Sequence, residues 1–380
     1  MTTATLTRPR LLSRGLVLVV AANFGALTSF YLLLSVVPLF TATLGDSGAA
    51  AGLSTGLLMT ATVVAELVTP RLVIRLGYRR VFAAGLTLLG LPALVLAFPS
   101  TMATVMIVSL VRGVGFAIIM VVAGALIATL LPPERRGEGL GITGMVACLP
   151  GVLALPAGIW LANVAGFAAA FTIGGVAALV GLLAIPWIPV TAPGDDKPVG
   201  VLASLRTPAL NRPAIVFATT AMAGGIVAGF LPLAITGGSV AAAGLFVQAA
   251  AATGFRWLAG RYGDRYGAGK LLVPGATVAA IGLLPLVVTH NPVTVLAGMA
   301  VFGAGFGVAQ NASMTLMLSR VSPASFGSVS AVWNIAYDAG WGWGAAAFGL
   351  AATQLGYSPA FAATAALMLI IIAGFRRAAR

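Results

Sequence analysis

Apolar residues run along this chain in long stretches, and short polar breaks separate them. A helix needs roughly 20 apolar residues to cross the hydrocarbon core of a bilayer. Windows of that length predict twelve spans, over 14–43, 49–74, 79–98, 102–131, 136–163, 167–189, 213–236, 240–262, 268–289, 292–319, 326–351 and 357–375. Almost nothing remains for a separate soluble domain. The longest break, 190–212, carries Pro193, Asp195, Asp196, Lys197 and Pro198 and predicts a linker at the midpoint.

Composition agrees with this pattern. The chain is 60% hydrophobic and 8% charged, with a mean hydropathy of +1.06, and no soluble domain hides so much apolar surface. Arg8, Arg10 and Arg14 precede the first apolar run as in a signal peptide. That run continues to about Phe40, too long for a signal's apolar core, so an uncleaved first span is expected. The single cysteine, Cys148, excludes a disulfide within the chain and reads as a small packing residue.

A net charge of +13 raises the possibility of nucleic acid, and its distribution argues against that. Lys and Arg fall in alternate breaks: Arg71, Arg75, Arg79 and Arg80, then Arg135 and Arg136, then Lys197, Arg206 and Arg212, then Arg261, Arg265 and Lys270, then Arg320, and last Arg376, Arg377 and Arg380. The intervening breaks hold no Lys or Arg. This is the positive-inside pattern, which predicts a multi-pass protein of the cell (inner) membrane with both termini cytoplasmic. The expected contact of the basic loops is anionic lipid.

The stretch "GRYGDRYGAGK" (260–270) concentrates four charges in eleven residues. It is not a phosphate loop, because Asp264 stands where the first Gly belongs and Leu271 where Ser or Thr would bind magnesium. A shift of 190 residues gives another reading. Arg75 falls on Arg265, Gly77 on Gly267, Gly85 on Gly275, "RGVGF" (112–116) on "FGAGF" (302–306), Pro133 on Pro323 and Gly137 on Gly327. The expected fold class is therefore an all-α integral membrane protein: 12 transmembrane helices in two pseudo-symmetric six-helix halves, 1–189 and 213–380, joined by the linker 190–212.

On these residues the chain resembles the major facilitator superfamily over essentially its whole length. Gly260, Asp264, Arg265 and Gly267 fit the family's loop between helices 8 and 9. The first-half copy, "PRLVIRLGYRR", keeps Arg75 and Gly77 but has Pro70 and Ile74 where the family has Gly and Asp. The resemblance implies that these loops latch the basic ends of the two halves together. "LVRGVGF" (110–116) is similar to the family's helix-4 motif with its buried Arg. "PPERRGEGLGI" and "LPAGIWLANVAGF" resemble the 12-span drug:proton antiporters, although Ile159 and Trp160 replace the closing glycine pair of the helix-5 motif.

Transport chemistry is expected at charges inside the spans, where each costs roughly 2.5–3.5 kcal/mol and needs a reason. Glu66, Arg112, Arg256 and Asp338 qualify. Glu66 shares a helical face with Thr55, Thr62 and Thr69, which predicts a water-lined stripe. Asp338 is flanked by Ser330, Asn334 and Gly342 at four-residue steps, with Tyr337 and Trp341 as an aromatic wall. Arg112 is expected to hold a carboxylate charged in one state and release it in another. Arg256 either serves function or snorkels to the basic end of its helix. Static ion pairing of the four is the bland alternative. Asn23, Tyr31, Gln248, Gln310 and Asn311 are weaker candidates for the substrate cavity, or merely bridge helices.

These features predict a secondary active transporter, a proton-coupled exporter of small, partly apolar organic compounds. A sugar or metabolite facilitator of the same fold is the alternative. The expected partners are a small-molecule substrate, protons as coupling ion and the lipid bilayer, with no nucleic acid and the chain acting as a monomer. Neither cofactor nor metal is expected. One outer-loop histidine, His290, and one cysteine supply neither ligands nor a nucleophile–base pair, which argues against an intramembrane enzyme. A receptor would be expected to carry a sizeable soluble domain.

Overall fold

The computed structural model describes residues 12–45, 48–131, 136–189, 207–235, 238–321 and 326–378. Among them there is helix and no strand. In the first half α1 is Arg14–Gly45, α2 Gly48–Leu76, α3 Tyr78–Val95 and α4 Met102–Leu130. The stretch Arg136–Val180 is broken by Gly166 at φ 84°, ψ 167°, giving α5 (136–165) and α6 (167–180), and α6 tightens into a 3₁₀ segment, Gly181–Trp187. The second half comprises α7 Pro208–Ala234, α8 Gly238–Tyr266, α9 Gly269–Leu283, α10 Pro292–Leu318, α11 Phe326–Leu355 and α12 Tyr357–Ala378. The helix α7 begins at Pro208, so the last positions of the expected linker are helical. Residues 190–206, including Lys197 and Arg206, lie outside the described residues.

Ten helical stretches of the described residues are long and apolar enough to cross a membrane. One of them, Val146–Trp187, contains parts of α5 and α6. The helix outside the ten is α11, whose hydropathy is lowered by Asn334, Asp338 and its glycines. The chain is a multi-pass membrane protein.

The 190-residue repeat is written into the backbone. Left-handed glycines fall at Gly77 (φ 78°) and Gly267 (φ 91°), and again at Gly166 (φ 84°) and Gly356 (φ 81°). Each pair is 190 apart (267 − 77 and 356 − 166). A side chain at such φ meets its own backbone, which is why glycine marks these turns. A helix start follows the same shift: α4 begins at Met102 and α10 at Pro292. Even the caps correspond. The Thr101 hydroxyl accepts from Thr104 N at the start of α4, and Asn291 Oδ1 accepts from Val293 N at the start of α10.

With helices alternating in direction, the start of α1 and the end of α12 sit at one end of the bundle, here the terminal end. Ties within each half secure it. Arg14 lies over the Trp187 ring at 5.0 Å, Arg79 Nε donates to Ile188 O, and Arg320 Nη1 donates to Ala209 O. The halves meet along α2 against α11, α5 against α8, and α1 against α7. The tightest approaches are at the opposite, distal end: Gly52 against the Ala345 carbonyl, Gly349 against the Gly48 carbonyl, and Gly238 against the Asn163 side chain. Any larger residue at Gly52 or Gly349 would push backbone apart.

Candidate functional site

Local helix geometry places the two acids together. Gly342 of α11 abuts Met59 of α2, and the helices run antiparallel. Asp338 lies one turn from that contact and Glu66 two turns, both towards the terminal end. At 1.5 Å rise per residue their heights differ by roughly 5 Å. Asp338 is buried, at 5% exposure, and Glu66 is half-buried. Glu66 lies close enough to act on Asp338 electrostatically. Among the described residues neither carboxylate has an ion-pair partner, so α2 and α11 each carry an acid without a counter-charge at the junction of the halves.

The threonine stripe beside Glu66 is not water-lined. Thr62 is fully buried, and its hydroxyl donates to Leu58 O at 2.9 Å and to Gly113 O of α4 at 3.1 Å. The Thr69 hydroxyl donates to Ala65 O at 2.7 Å. In an apolar surround a helical threonine satisfies itself on the carbonyl one turn back, so sequence polarity overstates its contact with water.

Arg112 has a different setting from the acids. It is 1% exposed, and its guanidinium donates to Leu89 O of α3 at 3.3 Å and Ser29 O of α1 at 3.4 Å. It therefore ties three helices of the first half through backbone carbonyls. Phe30 and Phe116 stack beside it at 3.7 Å between ring centroids.

Between α1, α5, α8, α10 and α11 lies a central cavity, walled by Tyr31, Cys148, Gln248, Arg256, Phe306, Gln310, Tyr337 and Trp341, with aliphatic residues between. Five of the expected cavity residues are among them: Tyr31, Gln248, Gln310, Tyr337 and Trp341. Asn23 is buried in α1 with an unpartnered Oδ1 and lies outside this wall. Asn334, half-buried one turn before Asp338, also lies outside it. Asn311 accepts from the Thr315 hydroxyl at 3.5 Å and packs against Gly260. Phe306 and Cys148 were not foreseen, because an apolar span gives no sign of which face meets the cavity.

Aromatic rings continue the wall towards the terminal end. Tyr337 and Trp341 are 5.3 Å apart, Trp333 and Tyr337 5.8 Å, and Phe217 stacks on Trp333 at 4.6 Å. Trp333 Nε1 is held by the Ser313 hydroxyl at 2.9 Å. A larger groove, about 530 Å³, lies between α2 and α4 and is lined by residues such as Val64, Val68, Leu72, Leu110 and Ile118. Its threonines, Thr60 and Thr69, bond to carbonyls of α2, so its lining is apolar in effect, and it contains none of the candidates.

The charged loop after α8 is a helix end closed by glycine. Gly267 N donates to Gly263 O at 2.8 Å, as Gly77 N does to Val73 O at 2.8 Å. Arg261 packs its guanidinium over the Trp257 ring at 4.8 Å. Arg75 occupies the last turn of α2, where a cation suits the helix dipole. The side chains of Asp264 and Arg265 lie outside the described residues.

Comparison with known proteins fits this architecture. The model of the Major Facilitator Superfamily matches residues 19–345, and again 215–379. A solved structure of a mutant of the nucleoside transporter NupG is similar at 15% identity and a TM-score of 0.78, covering 95% of this chain and 99% of that one. A mutant of the peptide transporter POT in complex with sulfate gives 13% identity and 0.79, covering 96% and 94%. A bacterial homolog to the human lysosomal transporter Spinster, in an inward-facing and occupied conformation, gives 16% and 0.79, with 98% of each chain covered. These likenesses concern the fold. No curated protein matches the sequence significantly.

Proposed function

The chain belongs to the Major Facilitator Superfamily, and from that premise we propose that it is a secondary active transporter exchanging protons for small, partly apolar organic compounds and exporting them by alternating access. A transporter, rather than an enzyme, is what the family and the fold define. The observation that carries the finer reading is the pairing of two things at the junction of the halves: a cavity walled by aromatic and amide side chains, and two carboxylates that have no ion partner among the described residues, on the adjoining α2–α11 seam. A substrate site and a proton site on one moving junction is what exchange requires. In this reading the terminal end, with its arginines, faces the cytoplasm of a cell (inner) membrane, and one chain suffices.

Glu66 and Asp338 carry the proton. Arg112, tied to carbonyls of α1 and α3, holds the first half rigid while the seam moves. The test is transport into inverted vesicles under an imposed pH gradient with a panel of compounds. Accumulation that needs the gradient and stops with a protonophore supports the exporter. Equilibration at the same rate with or without the gradient would replace it with the facilitator.

A further inference from the structure

Arg256 is the one cation that borders the cavity, among the described residues. It sits ten positions before the end of α8 at Tyr266, a depth of roughly 15 Å along the helix. A snorkelling arginine would extend along α8 towards the basic end. This one reaches sideways instead: Nη1 donates to Gln310 Oε1 of α10 at 3.5 Å, and to Cys148 Sγ of α5, in the other half, at 3.9 Å. Both partners are neutral and both contacts are long. Among the described residues no carboxylate stands within ion-pairing distance of Arg256, although Asp338 lies within electrostatic range of the same tyrosine, Tyr337. A guanidinium is a permanent cation, and this one is exposed, so a counter-charge entering the cavity can reach it.

The rest of the wall says what else that counter-charge must carry. Phe306, Tyr337 and Trp341 enclose the cavity with rings 5.3–6.4 Å apart, and Tyr31 faces them from α1. Rings of this kind favour another ring, edge-on or offset. Trp341 adds a buried indole N–H without a partner, and Gln248 and Gln310 add amides. The space between the walls is about 100 Å³, less than the ~150 Å³ of a closed cavity that admits benzene, but it opens at Arg256, which is exposed, so a ligand's charged end need not fit inside it.

We propose that this cavity binds a small aromatic carboxylate, its anionic group on Arg256 and its ring against Phe306, Tyr337 and Trp341. The proposal rests on the transporter reading above and names its substrate class. Charge-assisted, two-pronged bonding to a carboxylate is the interaction a guanidinium makes best. By bridging α5 and α8, such a ligand would also touch both halves at once.

The test uses the purified full-length protein, with its own tryptophan fluorescence as readout and three matched probes: benzoate, benzamide and benzylammonium. Benzoate is expected to bind saturably, and the neutral and cationic probes at least about tenfold more weakly. Arg256→Gln should remove the preference for benzoate, and Arg256→Lys, which keeps the charge, should restore part of it. Thermal unfolding of both variants checks that they are folded. Equal binding of the three probes, no saturable binding of benzoate, or unchanged benzoate binding by a folded Arg256→Gln protein would each overturn the assignment. Because the measurement involves no transport, its failure leaves proton exchange to be judged separately in vesicles.

Discussion

Trp343 Nε1 of α11 donates to the Thr60 hydroxyl of α2 at 3.2 Å. It is a side-chain hydrogen bond between the two halves, and near the distal end Ala49 N donates to Thr353 Oγ1 at 3.1 Å. Between these points, Gly52 and Gly349 let the helices touch backbone to backbone. A seam so closely packed either stays shut or opens as a unit.

Alternating access requires that it open. In a Cys148→Ser parent, whose own transport is the reference because Cys148 lines the cavity, a cysteine pair at Ala49 and Thr353 should cross-link under mild oxidation. Transport should then stop, and a reductant should restore it. Full transport by completely cross-linked protein would mean that this end of the seam does not move.

The Arg112 geometry leads to a second expectation. Its donors go to Leu89 O and Ser29 O, and a lysine cannot reach both. Arg112→Lys should lower stability by about 1–3 kcal/mol, the usual cost of stranded buried polar groups, seen as earlier thermal unfolding in detergent. Transport should fall with the amount of folded protein, and its pH profile should stay where it was. A displaced pH profile at unchanged stability would instead return Arg112 to proton coupling.

The architecture was largely legible in the sequence, and the side-chain contacts much less so. Span positions follow from solvation energy, which composition records, and the 190-residue shift reappears in Gly77 and Gly267, and in Gly166 and Gly356. Tyr337 and Trp341 were readable as cavity residues because a polar stripe ran beside them. The partners of Arg112 were not, because carbonyls are present at every residue and leave no mark in composition. The direction of Arg256 depends on Gln310 and Cys148, each distant in sequence. The Thr62 stripe misled because hydroxyl groups bond to their own helix as readily as to water.

A third expectation concerns the charged loops. Gly77→Ala and Gly267→Ala each force a side chain into the left-handed region, at a cost of roughly 1–2 kcal/mol. Similar losses from both, measured by thermal unfolding, would reflect the shared turn. Asp264→Asn differs, since it removes charge without touching the backbone. If Asp264 belongs to the latch implied by the family pattern, this variant should fold normally and transport slowly. Normal transport by Asp264→Asn would reduce the loop to a lipid anchor.

The last expectation tests the facing acids. Glu66 and Asp338 sit on opposite halves, two turns and one turn respectively from the Met59–Gly342 contact, with Glu66 acting on Asp338 electrostatically. Two carboxylates within electrostatic range repel when both are charged, and a proton taken up by the pair would ease the approach of the halves there. Loss of that proton would part them, so proton release and seam opening would be one event. Glu66→Gln and Asp338→Asn keep size and hydrogen bonding while removing the titration. Each should abolish accumulation driven by a pH gradient and leave ligand binding to the purified protein largely intact, since neither residue lines the cavity wall. The double variant should be no worse than either single one, because both break the same proton-sharing pair. If all three still accumulate substrate against its gradient, the proton travels elsewhere and the two acids are static neighbours on the seam.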